Sequence, residues 1–198
     1  MRDDRQEFGR SMVSIECLAA FDLLIWLGTG EKAGALLRAN QSTVCRYSKK
    51  CQEVFNVSMI KHGERWLIQR DDRLLVAERR VHQKYRWSHG LALRVDVDPS
   101  LLRSLPAEAQ ACTYAFHDCG RPKASDREEL LKQHIVDLWL APSAHFGNAD
   151  GTACVPCSPS GPALIVLNEF AGHPRTVGLM EQIRQCRLQP DFSPIARV

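Results

Sequence analysis

The sequence predicts a mixed α/β chain built from two dissimilar halves. Three observations carry this reading. Apolar residues recur at helical spacing in three segments before residue 56. A charged stretch, 70–88, keeps only a narrow apolar stripe. From residue 91 onward strand-like and helix-like segments alternate. The expected organisation is a polar N-terminal arm (1–13), an all-helical unit closed by a small hairpin (14–69), a linker helix (70–88) and a small α/β domain (89–198).

Each element has a local reason. Ser14 can cap a helix running to about Leu27, with Ile15, Leu18, Leu24 and Ile25 on its apolar face. Gly28-Thr29-Gly30 stops it, and Thr29 can cap a short second helix from Glu31 to Arg38 with Ala33, Gly34 and Leu37 inward. After the turn Ala39-Asn40-Gln41, either Asn40 or Ser42 can cap a third helix to about Phe55. Val44, Ser48, Cys51 and Phe55 share one of its faces; Thr43, Arg46, Lys49 and Lys50 share the other. Met59-Ile60 and Trp66-Leu67-Ile68 flank a Gly63 turn and predict a wing-like hairpin. The helix over 70–87 carries Leu74, Leu75, Val81 and Tyr85, a stripe suited to a helix–helix seam.

Beyond a Ser88-His89-Gly90 hinge, strands are expected at 91–97, 111–116 and 135–140. Helices are expected at 99–105, at 125–134 capped by Ser125 with Glu128, and at 176–186. Residues 141–161 read as a long loop, and Ala163–Leu167 as a buried strand of parallel type.

Composition is that of an ordinary globular chain: of 198 residues, 44% are hydrophobic and 25% charged. No apolar run approaches the ~20 residues of a membrane span, and the charged start Met1-Arg2-Asp3-Asp4-Arg5 lacks a signal core. The expected location is the cytoplasm, on the nucleoid, with no membrane partner. Residues 1–90 hold 16 Lys+Arg against 11 Asp+Glu, and residues 91–198 hold 10 against 12. A basic front and mildly acidic rear fit a polyanion-binding module joined to a solvated domain. The eight Cys read as reduced thiols, with Cys17, Cys45 and Cys51 as small buried residues.

The stretch Phe21 to Phe55 makes the reading specific. Phe21, Gly28-Thr29, Ala33-Gly34, Leu37, Asn40-Gln41-Ser42-Thr43-Val44-Cys45 and Arg46 occupy, without a gap, the spacing of a first-helix Phe, a capping pair, a small-residue pair, a Leu and a recognition-helix opening. The chain thus resembles the DNA-binding domain of LysR-type transcriptional regulators. Cys45, Cys51-Gln52, His62 and Ile68 depart from that pattern. In the rear half, residues 136–141 and 163–183 resemble two parts of one subdomain of the family's effector domain, which is of periplasmic-binding-protein type. The family inserts a second subdomain between them, where this chain has about twenty residues. On this alignment the cleft for a small-molecule effector loses one wall; a rival alignment has the chain end after entering the second subdomain.

The resemblance implies a winged helix-turn-helix, a dimer and double-stranded DNA as partner. Gln41, Ser42, Thr43 and Arg46 would face base edges, with Arg46 able to pair with guanine and Gln41 with adenine. Arg38, Lys49 and Lys50 would meet phosphates, and His62 and Arg65 would sit at the wing tip. Leu74, Leu75, Val81 and Tyr85 would form the dimer seam, giving a homodimer or higher homo-oligomer. An alternative is an interaction protein that pairs with full-length relatives and blocks them. A second alternative is a zinc or thiol-redox site at Cys154 and Cys157, with Cys112, His117, Cys119 or His145 as further ligands. No catalytic set is evident, with Asp118, Asp126 and Asp137 scattered singly, so neither an enzyme nor a cofactor is expected.

Overall fold

The computed structural model describes residues 13–63, 65–105, 113–121, 123–143, 150–159 and 161–186. The expected arm, apart from Val13, lies outside them. The chain divides into two units, Met1–His82 and Gln83–Val198, each with its own core. No helix among the described residues is long and apolar enough to cross a membrane.

The first unit is organised around α1 (Ile15–Leu27). Ser14 Oγ accepts the Cys17 N–H at its start, and Gly28, at φ +78°, ends it. From Cys17 to Leu27 every residue except Ala19 is buried, so α1 is a central helix rather than an amphipathic one. α2 (Gly30–Leu37) and α3 (Gln41–Phe55) pack on α1 and on each other. Leu37, expected inside, is only half-buried, and Cys45 is exposed because it lies one step around the helix from the buried Val44. β1 (Ser58–His62) and β2 (Arg65–Gln69) form an antiparallel hairpin about Gly63, whose φ of +62° suits a residue without a side chain.

α4 spans Arg73–Ser88, within the stretch expected to form the linker helix. It starts three residues later than expected, because Arg70 takes φ +79°, which no right-handed helix includes. Its buried stripe is Leu75, Arg79, Gln83 and Trp87. Leu75 therefore leaves the expected seam: it lies about 100° around the helix from Leu74 and is fully buried. Within the first unit, fully buried Arg79 donates through Nε to Asp22 Oδ1 at 2.7 Å and lies over the Phe21 ring. Asp22 is thus a buried polar residue among the apolar residues that fill α1 from Cys17 to Leu27.

The second unit is a five-stranded sheet, order β4-β3-β5-β7-β6. It comprises β3 (Leu93–Val97), β4 (Tyr114–His117), β5 (Leu138–Ala141), β6 (Thr152–Pro156) and β7 (Ala163–Leu167), with α5 (Pro99–Leu102), α6 (Ala124–Lys132) and α7 (Pro174–Gln185). β4, β3 and β5 are parallel, as expected of alternating strands and helices. Two expectations fail at β7. The loop expected over 141–161 contains β6, and β7 pairs antiparallel with both β5 and β6. An all-apolar run marks a strand buried on both faces but not its direction. Here β6 and β7 are joined by a tight return in which the Cys157 N–H donates to Pro162 O. Helix starts also move. α6 begins after Lys123 without a side-chain cap, so Ser125 and Glu128 form no capping box. α7 begins at Pro174, capped by His173, rather than at Thr176.

Charges are buried here in pairs. Asp137 accepts both arms of Arg86, at 3.0 and 2.9 Å, and the Arg94 N–H at 2.8 Å. Arg127 binds Asp96 and Asp118 and donates to Arg121 O at 3.0 Å. Of the carboxylates that looked scattered in sequence, Asp118 and Asp137 are engaged in these pairs.

Candidate nucleic-acid interface

The site is built from the α2–α3 turn outward. Arg38 closes α2 in the left-handed region, φ +53°. The Ala39 N–H then returns to Gly34 O at 2.9 Å. A Cβ at Gly34 would stand 2.5 Å from Ala39 O, so the turn requires glycine there. Asn40, not Ser42, is the α3 cap: its Oδ1 accepts the Thr43 N–H and the Ser42 hydroxyl, both at 2.8 Å. Gln41 lies across the start of α2, where a Cβ on Gly30 would stand 2.8 Å from its Cγ.

α3 sorts its residues cleanly. Val44, Ser48 and Cys51 are buried. Gln41, Ser42, Arg46, Lys49 and Arg38 are exposed, while Thr43 and Lys50 are half-buried. The Arg46 guanidinium lies over the Tyr47 ring, 5.6 Å from its centroid, and Lys49 faces Glu53 at 4.0 Å in an exposed pair. Burial pushes the Cys51 thiol up to about 12, with Asp22 adding to the shift, so it stays protonated.

The hairpin is fastened to the helices at three points that sequence reasoning missed. Gln52 Oε1 accepts the Met59 N–H at 2.9 Å. Arg70 Nη1 donates to Asn56 Oδ1 at 3.0 Å. Trp66 Nε1 donates to Gly28 O at 3.0 Å. The available signal was a tryptophan in a short exposed strand, since a part-buried indole N–H usually finds an acceptor. His62 and Arg65 pair across the turn; His62 is exposed and Arg65 half-buried.

On α4, Leu74, Val81 and Tyr85 are 75%, 62% and 47% exposed. At i, i+7 and i+11 they share one stripe. Tyr85 also stacks on His89 at 3.9 Å.

The metal alternative meets a topological obstacle. Cys154 lies on β6 and Cys157 just beyond it, whereas His117 and Cys119 lie at β4, the opposite edge of the sheet. Four strand spacings separate the edges, on the order of 19 Å, far beyond a shared zinc shell. Cys112 and His145 are outside the described residues. Asp96, Asp118 and Cys119 do converge, within 4.8 Å, but the cation they surround is the Arg127 guanidinium. Cys119 Sγ donates to Asp96 Oδ2 at 3.3 Å, and burial and that carboxylate push the thiol up to about 12.

No protein-family model and no curated protein matches the sequence. Several solved structures are similar to it. A full-length OxyR variant from Pseudomonas aeruginosa is 11% identical with a TM-score of 0.43, covering 74% of this chain and 55% of that one. Vibrio fischeri DarR, solved in complex with DNA, is 16% identical with a TM-score of 0.29, covering 74% and 56%. CrgA from Neisseria meningitidis, a LysR-type transcriptional regulator, is 16% identical with a TM-score of 0.30, covering 74% and 54%. This chain spans about half the length of each, and the structures it is similar to are regulators of the LysR family.

Proposed function

We propose that this chain is a sequence-specific DNA-binding transcription regulator of LysR type, with α2, α3 and the β1–β2 hairpin acting as a winged helix-turn-helix. One observation carries the reading. α3 spends Val44, Ser48 and Cys51 on the core and leaves Gln41, Ser42 and Arg46 on its outer leading turns, with Arg38 and Lys49 beside them and no acidic residue from Arg38 to Lys50. A helix so oriented fits the major groove, where Arg46 would read a guanine and the lysines would neutralise phosphates. Thr43, half-buried, would bring its methyl to a thymine edge.

The exposed stripe Leu74–Val81–Tyr85 would pair with a second copy of α4. A dimer would set two recognition helices about 34 Å apart, or a multiple of it, on a palindromic site. The α/β domain would be a reduced effector domain, with the segment between β5 and β7 standing where the family inserts a second subdomain.

Selection of bound sequences from random duplexes tests the function. The expected result is an enriched inverted repeat whose half-sites lie one turn or a multiple apart. Absence of any enriched sequence would overturn the reading. For the seam, sedimentation of the Leu74→Glu and Val81→Glu variants should show dissociation of a dimer; a wild-type monomer at micromolar concentration would refute it.

A further inference from the structure

We infer that Trp66 is a positioning residue that fixes the pitch of the β1–β2 hairpin and so presents Lys61 as an additional phosphate contact; the DNA half of this rests on the function proposed above. The hairpin ladder pairs Lys61 with Trp66 and Met59 with Ile68. Partners across an antiparallel ladder share a face. One face therefore holds Met59, Lys61, Trp66 and Ile68, and the other holds Ile60, His62, Arg65 and Leu67. Ile60 and Leu67, at 41% and 42% exposure, mark the second face as the outer one.

Two strands alone are marginal in water, so the hairpin's angle depends on what fastens it. Gln52 and Arg70 hold its base, through the Met59 N–H and Asn56. Trp66 sits farther along, next to Arg65 at the turn, and reaches back to the last carbonyl of the α1 cap. That acceptor belongs to a helix terminus and welcomes a donor. The indole also carries the Lys61 ammonium, which stands 5.9 Å from the ring centroid and is exposed. A single bond to α1 thus settles where the outer part of the hairpin points, and with it where one more cation sits.

Trp66→Phe keeps an aromatic ring and removes the N–H. In the full chain, hydrogen exchange of the β1–β2 amides should rise roughly 2- to 10-fold, the worth of one hydrogen bond, while α1–α3 amides stay as they were. On a selected duplex, affinity should fall by a similar factor. Footprint protection should be lost at phosphates flanking the half-site, with base preference under α3 unchanged. Lys61→Gln, at an exposed position that does not endanger folding, should lower the salt slope by about one per half-site. Unchanged hairpin exchange in the Trp66→Phe variant would overturn the tether. Faster exchange with intact flanking protection, or an unchanged slope for Lys61→Gln, would overturn the role in DNA contact. A wild-type chain with no duplex preference would overturn the proposed function and the DNA half together, while the exchange measurement would still decide the tether.

Discussion

The two units treat charge in opposite ways. In the first, Arg46, Lys49 and Lys61 of α3 and the hairpin are exposed, and the buried pair Asp22–Arg79 sits among apolar residues. In the second, Asp96, Asp118 and Asp137 are bound by Arg127 and Arg86 within or beside the sheet. An exposed cation keeps its charge within reach of an anionic partner, whereas a buried one spends its charge on the carboxylate beside it. On the function proposed above, the exposed cations would carry recognition and the buried pairs architecture.

The sharpest way to break this contrast is to cut a buried pair. Asp137→Ala would strand the Arg86 guanidinium and the Arg94 N–H beside a fully buried vacancy. The expected loss is about 3–5 kcal/mol of stability, read from the urea midpoint. A loss below ~1 kcal/mol would show that the second unit does not depend on its ion pairs. Next comes Gly34→Ala, whose Cβ meets backbone rather than a movable side chain. It should cost about 1–3 kcal/mol and loosen the α2–α3 turn; unchanged thermal unfolding would refute the close approach.

Arg46→Ala sharpens the contrast from the other side. It should leave folding within about 0.5 kcal/mol yet weaken binding at the preferred duplex by about 1–3 kcal/mol, measured by titration at fixed salt. Equal binding on every sequence, with an unchanged salt slope, would remove Arg46 from the interface. The smallest effect concerns Asp71, whose carboxyl Arg73 holds down to about 2 from its ordinary 3.8. A depressed carboxylate stabilises above its unfolded pKa and loses that contribution as pH falls through the folded one. The start of α4 should therefore fray between about pH 4 and pH 2. Amide shifts of Arg73 that titrate near pH 4 instead would refute the pairing.

The readable parts of the molecule are those governed by neighbours in the chain. Ser14, Thr29 and Asn40 cap helices because a short polar side chain can reach an amide two or three residues on. Gly63 turns the hairpin for an equally local reason. The outward side of α3 followed from its periodicity. β6 escaped because Gly, Pro, Ser and Asn around it resemble a loop, and its strand exists only through pairing with β7. Leu75 was misplaced because a stripe drawn by residue type ignored the polar Arg79 and Gln83 that share its buried side. Trp66 was passed over because its acceptor, Gly28 O, lies 38 residues away.

Sequence by itself determined where α1, α2 and α3 lie, which side of α3 is cationic, and that strands and helices alternate after residue 91. These depend on contacts a few residues apart, whose geometry the backbone enforces. Tertiary structure alone decided the direction of β7, the partners of Asp22, Asp96 and Asp137, and the fastening of the hairpin. Each of these joins groups distant along the chain, and no local pattern records which distant group will arrive.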